Sequence, residues 1–210
     1  MGRAERQREL AGRLHRRDGF VQPLRTVAGF AARLGGDGAA AHAVAVLLDA
    51  GTLATIGDAH ARVPAAPPAG PDELGFEVVP ALLEALGRLP AVPDVALVRG
   101  HGLAHPRRLG VAAHFGVVAD LPTVGVADAP LLGTAAALHP IRGAHTPLRD
   151  GREQVGWLLR SRPGAAPLVV SPGHRVSMTA AAQLAMRFVA DDRLPEPIRL
   201  ADALLAARGG

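Results

Sequence analysis

The sequence predicts a mixed α/β fold, with helices flanking a mixed β-sheet, from three observations. Early in the chain, short apolar runs alternate with turns rich in glycine and aspartate, the pattern of consecutive antiparallel hairpins. Further along, a buried strand, a helix and a second buried strand follow one another, an order that requires a right-handed parallel crossover. The chain has no internal repeat and no dividing linker, so we expect a single domain over 1–210.

The amino-terminal part predicts one helix and three strands. Arginine and glutamate recur at helical spacing beside a thin stripe of Leu10 and Leu14, which places a surface helix within 1–20. Turn residues then separate three runs that we expect to form an antiparallel meander, at 27–34, 41–48 and 52–60.

The central part predicts a helix and the crossover. A loop with four prolines at 64–71 leads into a helix at 76–89, whose leucines share one face. The crossover that follows consists of a strand at 94–98, a helix at 106–119 and a strand at 123–127.

The carboxy-terminal part is less regular before it ends in a clear strand and two helices. Its expected elements are strands near 139–143 and 154–160, a strand at 168–170, and helices at 176–190 and 195–210. Ser177 or Thr179 is placed to cap the first of these helices.

The composition excludes several classes of protein. The absence of cysteine excludes disulfides, thiolate catalysis and cysteine-ligated metal sites. A hydrophobic content of 49% with a net charge of only +4 excludes general disorder. All 23 basic residues are arginine and tyrosine is absent, so the isoelectric point of 11.2 overstates the charge at pH 7. No apolar run approaches a membrane span, and we expect a cytoplasmic protein with no membrane partner.

Several segments match a known family in order and spacing. The most specific is HGxxHPRRLGxAxHxG at 101–116, inside a matching block at 97–128. PLVVSPGHRVS at 167–177 and RLPEPIRLAD at 193–202 match further blocks. On these segments the chain resembles the endonuclease V family, which cleaves DNA or RNA near deaminated adenine. The resemblance implies a ribonuclease H-like fold.

The resemblance also implies a metal site, and the sequence departs from it. The family holds Mg²⁺ or a similar cation with carboxylates, because a dication prefers anionic oxygen ligands and a phosphodiester needs its developing charge neutralised. The matching positions are Ala31 on the first strand, Val78 on the helix after the proline loop, and Arg99 on the central strand. Asp128 stands where the family has a lysine. We therefore expect no cofactor, with Mg²⁺ binding lost.

Arg99 is the replacement with the largest consequence. Its guanidinium stays protonated at any relevant pH, so it repels a dication and cannot generate hydroxide from water. Arg99 and Asp128 lie at the ends of neighbouring strands, which predicts an ion pair between them. The recognition loop departs as well, since Ala69 replaces the family's aromatic wedge and cannot fill the space of a displaced base.

His101, Asp128 and His174 remain as candidate catalytic residues. His101 lies in the turn after the central strand, where α/β sheets place ligands, and it either donates to a phosphate or substrate or satisfies the turn's own backbone. By the resemblance, His174 matches the last metal-site residue. If the two histidines converge, they form an acid/base or transition-metal pair.

Two expected helix starts predict an anion site, because arginines there accompany bare backbone amides; the alternative is a solvated face. The full predicted set of ligand- or phosphate-binding residues is Arg99, Gly100, His101, Gly102, Arg107, Arg108, Gly173, His174 and Arg175. Glu77 is one residue out of register with the missing glutamate and is expected to face solvent. Asp120 and Asp202 are expected to be structural anchors.

Three functions stay open. The first is a diverged homologue, inactive as a metal-dependent inosine-directed nuclease, that binds DNA or RNA weakly or another phosphorylated ligand. The second is a repurposed enzyme for a small anionic molecule, with Arg99, His101, Asp128 and His174 in the old pocket. The third is an active nuclease with relocated ligands Glu77, Asp128 and His174.

Overall fold

The computed structural model describes residues 2–36, 38–67 and 70–207, and an eight-stranded sheet forms its centre. The strands are β1 (Thr26–Leu34), β2 (Ala40–Asp49), β3 (Thr55–Pro64), β4 (Val95–Arg99), β5 (Thr123–Ala127), β6 (His145–Asp150), β7 (Glu153–Leu159) and β8 (Leu168–Pro172). Their order across the sheet is β3-β2-β1-β4-β5-β8-β7-β6.

The strand directions confirm the predicted mixed sheet. β1, β2 and β3 form the expected antiparallel meander, and β1, β4 and β5 run parallel to one another. β8, β7 and β6 complete the sheet with antiparallel pairs. Because β1, β4 and β5 are parallel, their carboxyl ends meet at one edge of the sheet, which brings together residues that are far apart in sequence.

Helices cover both faces of the sheet. They are α1 (Arg3–Ala11), α2 (Leu74–Gly87), α3 (Val111–Ala119), α4 (Met178–Arg187) and α5 (Glu196–Ala207). α2 and α3 pack on one face, over a core that contains Phe30 and Val98. α4 and α5 pack on the other face, over a core that contains Val27 and Leu97. Adjacent strand residues thus enter opposite cores, as the two-residue repeat of a strand requires.

The structure corrects several predicted boundaries. α1 ends at Ala11, well before residue 20. The helix expected from 106 begins at Val111, because Arg108 has a left-handed backbone (φ 57°) that a helix cannot contain. The strand expected at 139–143 is wrong; β6 begins at His145, after Gly143 with φ 85°. Ser177 is the N-cap of α4, since its side chain accepts a hydrogen bond from the Ala180 amide. No helix among the described residues is long and apolar enough to cross a membrane.

Candidate functional site

Arg99 is the last residue of β4 and lies at the sheet edge where the parallel strands end. Val95 and Leu97 belong to the core beneath α4 and α5, so alternation along the strand directs Arg99 to the same face. Its side chain is about three-quarters buried, with 24% exposed. The guanidinium therefore lies between the end of the neighbouring strand β5 and helix α5.

Arg99 pairs with two carboxylates. Its Nη2 contacts Asp128, one residue beyond β5, which confirms the predicted ion pair. Its Nε lies 3.0 Å from Asp202 Oδ2 on α5. Asp128 also accepts a hydrogen bond from Arg193 Nη1 at 2.5 Å. Two guanidiniums and two carboxylates thus form a connected cluster, which we call the Arg99 cluster.

The two carboxyl groups of the Arg99 cluster have opposite pKa shifts. Burial opposes ionisation of Asp128, but hydrogen bonds from Arg193 and Arg99 outweigh it, and the pKa of Asp128 is lowered. Burial raises the pKa of Asp202, and the single contact with Arg99 offsets this only in part. Asp128 is therefore the firmly ionised partner, whereas Asp202 depends on Arg99 for its stabilisation as an anion.

The residues around Arg99 do not fit a hard dication. Ala31 lies one residue beyond the Phe30–Val98 pair of the sheet and places a buried methyl group beside the Arg99 position. Val78 is equally buried on α2. In the described part of the chain, no group of three or more His, Asp or Glu side chains is placed to hold a metal ion. Ala69 lies outside the described residues.

A cavity of about 220 Å³ opens next to Arg99, between the β4 end, α2 and the start of α3. Val78, Arg99 and His101 are among its lining residues. His101 Nε2 lies 2.8 Å from the Ala129 carbonyl oxygen, and because a carbonyl only accepts, Nε2 carries the proton. Burial, with Arg99 adding to it, lowers the pKa of His101, so the ring is neutral at pH 7. One ring nitrogen of His101 is thus engaged by the segment that follows β5.

The glycines predicted to bind phosphate have packing roles. A Cβ on Gly102 would lie 2.2 Å from the Pro172 carbonyl oxygen, and one on Gly173 would lie 2.1 Å from Thr123 Oγ1. Gly100 has φ 137°, which a side chain rarely adopts. Their amides donate to Ser171 Oγ, the Thr123 carbonyl and the Val126 carbonyl respectively. These three amides are therefore engaged within the protein, and phosphate binding by these glycines stays a prediction.

Arg107 and Arg108 are also engaged within the protein. They lie in the turn before α3, so the predicted position at a helix start is wrong. Arg107 contacts Asp72 and Gln7, and Arg108 binds Asp150 at 2.7 Å and Glu153 at 2.9 Å. These ion pairs connect the turn to distant segments, and they leave less positive charge for an external anion.

His174 and Arg175 lie at the other end of β5 from the Arg99 cluster. The His174 carbonyl accepts from the amide of Thr123, the first residue of β5, whereas Asp128 follows the last. At about 3.3 Å per residue, these ends are about 16 Å apart. Asp120 binds His174 Nε2 and Arg175 Nε, each at 3.1 Å. His174 and His101 therefore do not converge, so the condition for an acid/base or transition-metal pair is not met, whereas Asp120 is the structural anchor expected.

Glu77 does not face solvent as expected, because α1 and the segment before α2 cover it. Its exposed fraction is 6%. Glu77 Oε2 accepts from the Ala66 amide at 3.1 Å, and Arg3 Nη2 lies 2.6 Å from Oε1. The relocated ligand set of Glu77, Asp128 and His174 is thus not brought together, since each belongs to a different local network.

Asp202 and Arg193 are the site residues that sequence reasoning missed. Asp202 was expected only as an anchor, yet it is the second carboxylate on Arg99. A signal was available: with Ile198, Ala201 and Leu205 on the buried face of α5, Asp202 lies beside that face. Arg193 carries no comparable signal, because it lies in the irregular segment between α4 and α5.

The comparisons with known proteins agree with the fold. The Endonuclease V family model matches residues 8–203. The chain is 48% identical over 203 residues to Endonuclease V of Xanthomonas axonopodis pv. citri (strain 306), covering 97% of this chain and 86% of that protein. It is 48% identical over 202 residues to Endonuclease V of Azotobacter vinelandii, covering 96% and 91%.

Solved structures show the same architecture. Endonuclease V from Streptomyces avermitilis superposes with a TM-score of 0.91 at 35% identity, covering 98% of this chain and 90% of that one. The catalytic domain of human Endonuclease V gives 0.90 at 32%, covering 98% and 93%. Ciona intestinalis Endonuclease V in complex with an inosine-containing 24mer DNA gives 0.81 at 23%, covering 97% and 94%. The predicted ribonuclease H-like fold is confirmed, and the chain belongs to the Endonuclease V family.

Proposed function

We propose that this chain is a family member that binds nucleic acid without metal-dependent cleavage. The observation that carries the proposal is the Arg99 guanidinium between Asp128 and Asp202. A positive side chain takes the place between two carboxylates that a divalent cation would need.

The chemistry of hydrolysis is what this arrangement lacks. A bound dication lowers the pKa of water and neutralises charge on the phosphodiester, whereas a guanidinium does not give up its proton. The opposing charges of the Arg99 cluster are already balanced by Arg99 and Arg193. A dication added there would meet two positive side chains and no free carboxylate pair.

Nucleic acid is the ligand class best supported. The relatives are named endonucleases, and the Ciona protein of the same fold was solved with DNA. The chain itself carries a net charge of +4 with arginine as its only cationic residue type apart from histidine, which suits phosphate contacts. We expect weak, salt-sensitive binding with little sequence preference.

The small-molecule alternative has less support. Its four residues do not share one pocket, because His174 lies at the far end of β5. The cavity beside Arg99 measures about 220 Å³. Pockets for small ligands usually measure about 300–1,000 Å³, so this one is small for the purpose.

The test separates cleavage from binding on the same oligonucleotides. Fluorescently labelled DNA and RNA, with and without one inosine, are incubated with the protein and Mg²⁺ or Mn²⁺. The human Endonuclease V catalytic domain serves as the positive control. We expect no product, while anisotropy in EDTA shows binding whose affinity falls as salt rises.

Two results would overturn the proposal. EDTA-sensitive cleavage of inosine substrates by the native chain would show a working metal site. Anisotropy that stays flat with all four oligonucleotides at low salt would remove nucleic acid as the ligand.

A further inference from the structure

A second cavity lies in the carboxy-terminal half of the chain, between β7, α4 and the segment before β6. Its volume is about 590 Å³, which falls within the usual range of about 300–1,000 Å³ for small-ligand pockets. Trp157, Leu159, Ala182, Met186 and Val189 supply its apolar surface. It shares no lining residue with the cavity beside Arg99.

Two arginines give this cavity a positive charge. Arg142 donates from Nη2 to the Val189 carbonyl at 2.8 Å. Arg187 donates to the Ala50 carbonyl at 3.3 Å and lies over the Phe188 ring. Within the described ranges neither guanidinium forms an ion pair, and no described lining residue is acidic. By contrast, Arg99, Arg107 and Arg108 are all neutralised.

Trp157 supplies a fixed aromatic surface. Its indole Nε1 donates to the Met178 carbonyl at 2.8 Å. The His145 ring meets it edge-on, with ring centres 4.9 Å apart and planes at 88°. Both contacts hold the indole in place before any ligand arrives, which lowers the ordering cost of binding. Thr179 and Gln183 at the exposed rim add hydrogen-bonding groups.

We infer that this cavity binds a nucleotide bearing a terminal phosphate, with the base against Trp157 and the phosphate at Arg142 and Arg187. An aromatic surface beside guanidiniums suits a planar base joined to a phosphate, since bases stack on indole and arginine binds phosphate through paired N–H groups. A free mononucleotide and the 5′-phosphorylated end of a strand share this chemistry. The inference does not depend on the Arg99 cluster, so either proposal can fail alone.

The single tryptophan of the chain is the reporter for this site. Fluorescence excited at the red edge of the indole band is titrated with adenosine monophosphate, adenosine and inorganic phosphate. We expect saturable quenching by the monophosphate and at least tenfold weaker binding of adenosine. If a 5′-phosphorylated trinucleotide binds more tightly than adenosine monophosphate, the ligand is a strand end. If the two bind with equal affinity, the ligand is the free nucleotide.

Matched double variants test the role of the arginines. Arg142→Gln/Arg187→Gln removes both guanidiniums from the cavity, and Arg149→Gln/Arg152→Gln removes the same charge from β6 and the following turn, outside it. All four side chains belong to exposed residues, so both variants are expected to fold, which circular dichroism checks. We expect at least a tenfold loss of nucleotide affinity in the first variant alone. Equal loss in both variants, or no saturable quenching of the native chain at millimolar nucleotide, would overturn the inference.

Discussion

Replacing Arg99 with aspartate tests whether its charge keeps a divalent cation out of the site. In the native chain, the guanidiniums of Arg99 and Arg193 face the carboxylates of Asp128 and Asp202, so the formal charge of the Arg99 cluster is zero. Arg99→Asp leaves three carboxylates and one guanidinium. The formal charge becomes −2, and one bound divalent cation brings it back to zero.

The expected magnitudes follow from the contacts. Arg99→Asp loses two ion pairs whose side chains are 24% to 53% exposed, so without a cation we expect the free energy of unfolding to fall by about 1–3 kcal/mol. A cation at about 100 times its dissociation constant adds back about 2.7 kcal/mol. In a chain of this size, 1 kcal/mol corresponds to about 2–4 °C in melting temperature.

The assay is thermal unfolding in Mg²⁺ or Mn²⁺, compared with sodium chloride of equal ionic strength and with EDTA. Arg99→Gln is the matched control, because it removes the guanidinium without adding a ligand. We expect the divalent cations to raise the melting temperature of Arg99→Asp alone. A comparable rise in the native chain would refute the reasoning, as would an equal response of the aspartate and glutamine variants.

Three further predictions concern stability. Burial lowers the pKa of His114 to about 4 in the folded chain, whereas it is about 6.5 in the unfolded chain. As the pH falls from 6.5 toward 4, the unfolded chain binds a proton on this imidazole that the folded chain does not, so the folded chain loses stability. At pH 5 the loss is about 2 kcal/mol, and urea unfolding of His114→Leu is expected to show a correspondingly flatter pH dependence. Glu77→Ala removes a buried acceptor of the Ala66 amide and the contact with α1. We expect the free energy of unfolding to fall by about 1–3 kcal/mol and proteolysis near the amino terminus to become faster. An unchanged rate of proteolysis would contradict the role given to Glu77. Gly102→Ala would place a Cβ against a carbonyl oxygen and is expected to yield little folded protein. Gly87→Ala, in α2 with open space around it, is expected to raise the free energy of unfolding by about 0.5–1 kcal/mol. Equal yields and stabilities of the two variants would show that the turn at Gly102 relaxes.

Local patterns predicted the sheet because they describe strands and turns directly. β5 was expected at 123–127 and is found there, because a proline before the apolar run and an aspartate after it mark the two ends of the strand. α3 was predicted too early because a proline followed by two arginines suits a helix start, whereas Arg108 has a left-handed backbone and its side chain pairs with Asp150 and Glu153. No local pattern contains that information.

Part of the site was predicted because it follows from the strand assignments. Arg99 and Asp128 were paired correctly because adjacent parallel strands end at one edge, a relation that follows from the strand assignments. Asp202 joins them from α5, and its approach depends on tight packing of that helix on β1: a Cβ on Gly29 would lie 1.9 Å from the Pro197 carbonyl oxygen. The depth of such packing cannot be read from helical periodicity. His174 lies away from the Arg99 cluster because β8 runs antiparallel to β5, so the turn after β8 lies beside the start of β5.

The three positions predicted to replace metal ligands are expected to differ in their effect on a cation. Ala31 and Val78 only withhold ligands, so a dication at this sheet edge would lose coordination without being repelled. Arg99 adds a competing charge and also engages both remaining carboxylates. Burial raises the pKa of Asp202, and Arg99 opposes that rise because its guanidinium stays protonated. We therefore expect an aspartate added at position 31 to become a third partner of the guanidinium, and we expect it to create no metal site while Arg99 is present.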